Sequence, residues 1–206
     1  MLEEIWGHDA FALFVGLAAI EPSPTLGFHH LHPKDRFWEL LELASITSTR
    51  IITKEERKAM AEGHARGNIT DPVRQIFLLK KTSQLLRQGI GITYLNPNAG
   101  TETEKDKGAR PSVTDIQTFL DGCASKPARL LGFLCDGALF ADLFGNRFPP
   151  ATGLLGKQGW MIGSSEVWFL GSPQASLKGE ALLAQEDLFY AFGERLAAIR
   201  EEAASR

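Results

Sequence analysis

Residues 10–20, AFALFVGLAAI, form the longest apolar run of the chain, and Glu21-Pro22-Ser23-Pro24 ends it. An uninterrupted run of this kind is the pattern of a strand buried on both faces, as in parallel sheets. In HPKDRFWELLELAS (32–45), Pro33 suits a first helical turn, and Phe37, Leu40, Leu41 and Ala44 recur at helical spacing, so an amphipathic helix is predicted. Residues 47–70 are polar and charged, and Lys54, Arg57 and Lys58 fall on one helical stretch read as a solvated excursion. Asp71-Pro72 caps a further helix, VRQIFLLKKTSQLLRQ, with Val73, Ile76, Phe77 and Leu85 toward a core and Gly89 at its end. GIGITYLN (89–96) is the next strand.

Residues 97–111, PNAGTETEKDKGARP, hold nothing apolar larger than alanine and read as a loop that moves or contacts a ligand. Ser112 with Asp115 three residues on resembles a capping box opening the helix VTDIQTFLDGCA. ARLLGFL (128–134) is a buried strand and GALFADLF a helix; residues 159–163 and 166–170 form a strand, a bend and a strand. In the last helix Leu182, Phe189, Phe192, Leu196 and Ile199 share the face that docks on the sheet. The order β-α-α-β-α-β-α-β-α, with no repeat or composition break, describes one α/β sandwich domain over residues 1–206 with a mostly parallel sheet. Ligands bind such sheets outside the carboxyl ends of the strands. The positions of interest are therefore Glu21 to His32, Asn96 to Arg110, Cys135 to Gly137 and Gly171 to Lys178.

Composition narrows the classes. With 44% hydrophobic, 9% aromatic and 23% charged residues among 206, disorder and collagen-like repetition are excluded. The balance of 22 Lys+Arg against 25 Asp+Glu excludes a bulk positive grip on nucleic acid but leaves room for a local basic patch. Two cysteines, Cys123 and Cys135, cannot supply a four-thiolate cluster or a CxxC zinc site, and a reducing cytoplasm is the simplest home. The apolar run follows Glu3 and Glu4 rather than a cationic stretch, and it is too short to span about 30 Å of hydrocarbon. Neither an export signal nor a membrane partner is expected, and the expected state is a monomer.

Three ordered segments carry a resemblance over nearly the whole chain: GFHHLHPKDRFWELLELA (27–44), GIGIT (89–93) and IGSSEVWFLGSP (162–173). They are similar to the G-F-x-x-x-H-P-x-N-R-F-W, G-V-T and I-G-S-x-x-x-W-x-L-P-N-P segments of the uracil-DNA glycosylase superfamily, most closely its mismatch-specific (thymine/uracil) branch. The resemblance implies a three-layer sandwich with a central, mostly parallel four-stranded sheet flanked by helices. It also implies a monofunctional glycosylase of base excision repair, working in the bacterial cytosol or nucleoid. Such an enzyme excises uracil, or other deaminated or mismatched bases, from DNA and leaves an abasic site.

Two departures fall on the chemistry. The family's first motif, G-x-N-P-G or G-x-D-P-Y, matches Ala19-Ile20-Glu21-Pro22-Ser23; anchoring on Pro22 puts Glu21 in the Asn/Asp place, whereas a gapless register from Gly16 puts Ala18 there. The proline anchor is preferred because it leaves a carboxylate at the sheet's carboxyl end. The second motif, H-P-S or N-P-S in the family, reads Ser172-Pro173-Gln174, with a hydroxyl in place of the electrophilic His or Asn. Cleavage of an N-glycosidic bond passes through an oxocarbenium-like sugar, so Glu21 near C1′ would stabilise positive charge and orient water. Ser172, Gln174 and the backbone N–H groups of residues 22–24 are the candidate donors to the departing base. No metal or redox cofactor is called for.

Because the base must leave the stack to be reached, it needs a π face and an amide that reads its edge. Phe28 or His30 takes the stacking role and Asn96, with one donor and one acceptor, the reading role implied by the resemblance. Leu177 with Lys178 lies where the family carries its insertion wedge, and Arg110 and Lys178 are the cations expected near DNA phosphates. Plainer roles compete: Glu21 as a loop carboxylate, Asn96 as a turn residue, Phe28 as core, Ser172 as a helix cap. Phe37 and Trp38 read as packing. The cluster His29, His30, His32 lacks the neighbouring ligands of a metal site. A family relative that binds damaged or abasic DNA without cleaving it is the alternative function, and an enzyme of free nucleotides or metabolites a third.

Overall fold

The computed structural model describes residues 4–20, 23, 28–32, 35–67, 70–101, 110–144, 155–173 and 177–205. In chain order the elements are β1 (Ala12–Ile20), α1 (Phe37–Leu43), α2 (Lys54–Ala65), α3 (Asp71–Arg87), β2 (Ile90–Thr101) and α4 (Val113–Ser125). They continue with β3 (Leu130–Leu134), α5 (Gly137–Phe144), β4 (Gly156–Ile162), β5 (Ser165–Phe169) and α6 (Glu180–Ala204). The sheet has the order β2-β1-β3-β5-β4. β1 runs parallel to β2 and β3, β3 runs parallel to β5, and β4 is antiparallel to β5. The expected four strands are thus five among the described residues. The last strand region is a hairpin: Ile162 pairs with Ser165 across a two-residue connection that places Gly163 at φ 59, a conformation glycine reaches without a Cβ penalty.

β1 is central and every residue from Ala12 to Ala18 is buried, which explains why it reads as a continuous apolar run. Its alternation divides the core. Ala12 and Phe14 join Leu130, Leu134, Phe37, Leu40, Leu41, Phe189, Phe192 and Leu196 in one cluster, so α1 and α6 cover that face. Leu13, Val15 and Leu17 join Leu131, Phe133, Phe119, Cys123, Phe140 and Phe144 in another, where α4 and α5 lie. Phe14 meets Phe37 edge-on at 5.1 Å and Phe192 at 5.2 Å. Each fully buried phenylalanine contributes about 1.5–3 kcal/mol of transfer free energy.

Several local expectations change. The N-cap of α3 is Thr70, in extended backbone, rather than Asp71. On that helix Leu85 is buried and Phe77 packs against the core, but Ile76 is 68% exposed, because Phe77 and Leu85 lie two turns apart on the inner face and Ile76 precedes it. β2 extends to Thr101, past the expected loop start at 97, while residues 102–109 lie outside the described region. The capping box at α4 is present, with Ser112 Oγ accepting from Asp115 N–H and Asp115 Oδ2 accepting from Ser112 N–H at 2.7 Å. No helix among the described residues is long and apolar enough to cross a membrane.

Candidate functional site

The parallel strands place their carboxyl ends together. β1 extends through Ile20, which pairs with Thr101, so position 21 is the first beyond the strand. Asn96 pairs with Ala18; the next pair is Ala19 with Gly100, a register shift that puts Asn96 at the edge of a bulge. Ala18 itself is buried within β1 and has no group for chemistry. After β3 come buried Cys135 and exposed Asp136, whose Oδ1 accepts from Ala138 N–H at 3.0 Å and so caps α5. After β5 the chain turns through Gly171, at φ 72, into Ser172-Pro173. Glu21 and Gln174 lie outside the described residues.

The segment that follows β1 is built on a close approach between two strands. Gly16 faces Tyr94 across β1 and β2, and a Cβ on Gly16 would stand 2.5 Å from the ring carbons Cδ1 and Cε1. The glycine therefore lets the Tyr94 ring lie over β1. His29 stacks on that ring at 5.0 Å and 20°. Tyr94 Oη accepts from His30 N–H at 3.4 Å, and Ser23 Oγ accepts from Leu31 N–H at 2.8 Å.

His30 is 6% exposed and sits at φ 53, a left-handed conformation that costs a non-glycine residue about 1–3 kcal/mol. The surroundings hold it there. Its carbonyl accepts from Trp38 Nε1 at 3.0 Å, its ring stacks on Phe37 at 4.1 Å and 26°, and Nδ1 lies 2.6 Å from Asp35 Oδ2. Asp35 Oδ1 accepts from Phe37 N–H at 2.8 Å, so the start of α1 fixes the carboxylate and the carboxylate fixes the imidazole. Nε2 of His30 is buried with no hydrogen-bond partner among the described residues. A polar atom left in that state costs about 1–3 kcal/mol.

Of the two candidates for stacking a base, Phe28 is 1% exposed, stacked on Trp38 at 5.8 Å and edge-on to Phe77 at 5.9 Å. It is a core residue with no open face in this structure. His30 has Phe37 against one face, so what it has to spare is its edge. Asn96 is partly exposed.

The loops after β1 and β5 meet. Arg36 N–H donates to the Pro173 carbonyl at 2.8 Å, and Gln185 of α6 donates to the Ser172 carbonyl at 2.8 Å. The Arg36 side chain pairs with Glu186 at 2.7 Å. Ser172 is partly exposed and does not cap α6, whose N-cap is Gly179, so the helix-cap role is set aside. Leu177 is partly exposed and Lys178 exposed, immediately before that helix. Arg110 is exposed and pairs with Asp142 on α5, a contact that a phosphate would have to displace.

Arg57, read from the sequence as part of a solvated excursion, is buried, and so is Lys81. Arg57 of α2, 2% exposed, donates to the carbonyls of His32 and Asp35 and pairs with Glu39 at 2.6 Å, clamping the segment that carries His30. Lys81 of α3, 5% exposed, donates to the Ile51 carbonyl and bonds both oxygens of Glu56, at 2.8 and 2.9 Å, with the Phe77 ring 5.4 Å away. Burial alone would raise the Glu56 carboxyl, but the Lys81 ammonium and the Thr53 N–H hold it below its ordinary value. Signals for both were in the sequence: Thr53-Lys54-Glu55-Glu56 is a capping box, and Phe77, Lys81 and Leu85 share one helical phase. Asp35, Tyr94 and Gly16 carried no local signal for their meeting with His30.

Burial raises the Cys123 thiol to about 12, which keeps it un-ionised at neutral pH. Among the described residues no group of three His, Cys, Asp or Glu side chains could hold a metal ion. A cleft of about 530 Å³ lined by Phe11, Arg87, Gln88 and Arg200 lies at the opposite, amino-terminal end of β1 and β2, away from the strand-end loops. No protein-family model matches the chain.

Proposed function

We propose that the chain is a three-layer, uracil-DNA glycosylase-like domain acting as a monomeric, monofunctional DNA glycosylase in the cytoplasm. In this reading it flips uracil, or another deaminated or mismatched base, out of DNA and hydrolyses the N-glycosidic bond, leaving an abasic site for base excision repair. The observation that carries the reading is the junction of the two motif-bearing loops. Residues 28–36 and 171–173 meet through the Arg36 to Pro173 bond beside the ends of parallel strands, where α/β sheets bind ligands.

In the proposed reaction Glu21 is the carboxylate that stabilises the sugar cation and orients water. Ser172 and Gln174 donate to the departing base, with preorganised donors worth about 3–4 kcal/mol each. Asn96, beside its bulge, reads the base edge. Leu177 fills the gap in the stack, with Lys178 and, after release from Asp142, Arg110 on phosphates. A chain of net charge −3 holds DNA through such a loop face with modest, salt-sensitive affinity.

The test is incubation of the purified protein with labelled oligonucleotides carrying uracil opposite G, opposite A or in single strands, followed by alkali. Strand scission by the wild type and its loss in Glu21→Gln are expected. Retardation of the DNA without scission on any of the three would instead establish a binder of damaged or abasic DNA.

A further inference from the structure

α3 is apolar on two sides. Leu85 is buried and Phe77 packs against the core, which accounts for the inner side. On the outer side Ile76 and Leu79 are 68% and 69% exposed, and Leu86 is 43% exposed. At about 100° per residue these three and Ser83 fall within a sector of about 80°, centred opposite Leu85. Positions 76, 79, 83 and 86 are spaced three, four and three, the a, d, a, d spacing of a coiled-coil seam, about 15 Å long at this helix's rise. A contiguous stripe of large apolar side chains left in water marks a surface that a partner covers.

The seam is charged along one flank. Lys80 and Arg87, both exposed, occupy the two e positions, from which coiled-coil helices form interhelical ion pairs; the g positions are Gln75 and Thr82. Residues 72–87 include no Asp or Glu. At the carboxyl end of the seam Arg87 lines the cleft that it shares with Phe11 and Arg200, whose described lining holds no acid either. These charges decide among occupants. A second α3 set antiparallel would bring e against e, cation on cation, and one set parallel would bring e against the neutral Gln75 and Thr82. α6, the acidic helix of this chain, exposes Leu183 and Tyr190, but they are seven residues apart, with Glu186 and Asp187 where the apolar residue between them would fall. An anionic lipid surface draws on cations at both flanks of an apolar stripe, and here one flank is neutral.

We infer that the outer face of α3 is a docking site for an amphipathic helix of another protein, one with apolar residues at its own a and d positions and Asp or Glu along the flank that meets Lys80 and Arg87. The apolar seam supplies the buried area and the cations select the partner, since exposed ion pairs add little affinity but discriminate strongly between charge patterns. The inference goes beyond the glycosylase reading and does not depend on it.

The experiment measures the fluorescence anisotropy of labelled three-heptad peptides titrated with the full chain. One peptide carries Leu at a and d with Glu at e and g, so that it repels itself; the other carries Lys at e and g. Saturable binding of the Glu peptide is expected, with a preference of about tenfold or more over the Lys peptide. Ile76→Ala and Leu79→Ala are each expected to weaken it about tenfold. Lys80→Glu combined with Arg87→Glu is expected to reverse the preference, a gain of binding to the Lys peptide that misfolding cannot produce. No saturable binding of the Glu peptide, equal affinity for both peptides, or binding indifferent to these substitutions would overturn the inference. So would dimerisation of the wild type, or its binding to vesicles of phosphatidylserine and phosphatidylcholine, if Leu79→Ala abolished it, because the seam would then serve a second copy or a lipid surface.

Discussion

Gly16→Ala should disrupt the strand-end site from inside the sheet. The new Cβ would stand 2.5 Å from Cδ1 and Cε1 of Tyr94, whereas carbon atoms pack at about 3.5–4.0 Å, so the ring must retreat by about 1 Å or more. It has little room, since His29 stacks on it at 5.0 Å and its hydroxyl accepts from His30 N–H. Overpacking of this kind costs about 1–3 kcal/mol. Loss of the hydroxyl contact adds about 1 kcal/mol, and the stiffer unfolded chain of alanine offsets about 0.4–1 kcal/mol. The net is about 2 kcal/mol, which for a domain of this size lowers Tm by about 4–8 °C. Thermal and urea unfolding followed by circular dichroism would measure it. The decisive comparison is with Tyr94→Ala, which alone costs about 3–5 kcal/mol. In that background Gly16→Ala should be neutral or stabilising by about 0.4–1 kcal/mol, because the atoms it struck are gone. Additive losses in the double variant would show that the ring is not what position 16 accommodates. They would remove Tyr94 as the support of His30.

Arg57→Ala should destabilise by at least about 2 kcal/mol in urea unfolding, since it strips a charged donor from two carbonyls of the segment that carries His30. Lys58→Ala on the same helix, an exposed pair with Glu62, should fall within about 0.5 kcal/mol of wild type. Glu166, hydrogen-bonded by Arg195 and by Lys157, has its carboxyl held below the ordinary carboxylate value. Its contribution is therefore complete above that ordinary value and lost as pH falls through the lowered one; melts of wild type and Glu166→Gln should differ at neutral pH and converge in acid. With Cys123 raised to about 12 and Cys135 buried, neither thiol should react quickly with a disulfide reagent at neutral pH in the native protein, and both should react once it is unfolded. Rapid native labelling of Cys123 would refute its burial.

The sequence by itself determined the elements whose signal is local. The buried run of β1, the amphipathic face of α6 and the capping box of α4 each follow from periodicity or from two residues three apart, and backbone geometry converts such patterns directly into structure. It also singled out the strand-end stretches, including Ser172 and His30. Tertiary structure decided what those residues touch. Position 16 read only as part of an apolar run, yet the parallel register sets it opposite Tyr94, 78 positions away, where there is no space for a Cβ. Arg57 and Lys81 carry charges that local statistics assign to solvent, and they are buried because carbonyls and carboxylates from other elements converge on them. His30 was read for its ring face; packing against Phe37 gave that face to the core and left the edge, held by Asp35 at Nδ1. Patterning along a chain records which side of an element is apolar, but the pairing of one element's polar edge with another's exists only once the sheet has set their distance.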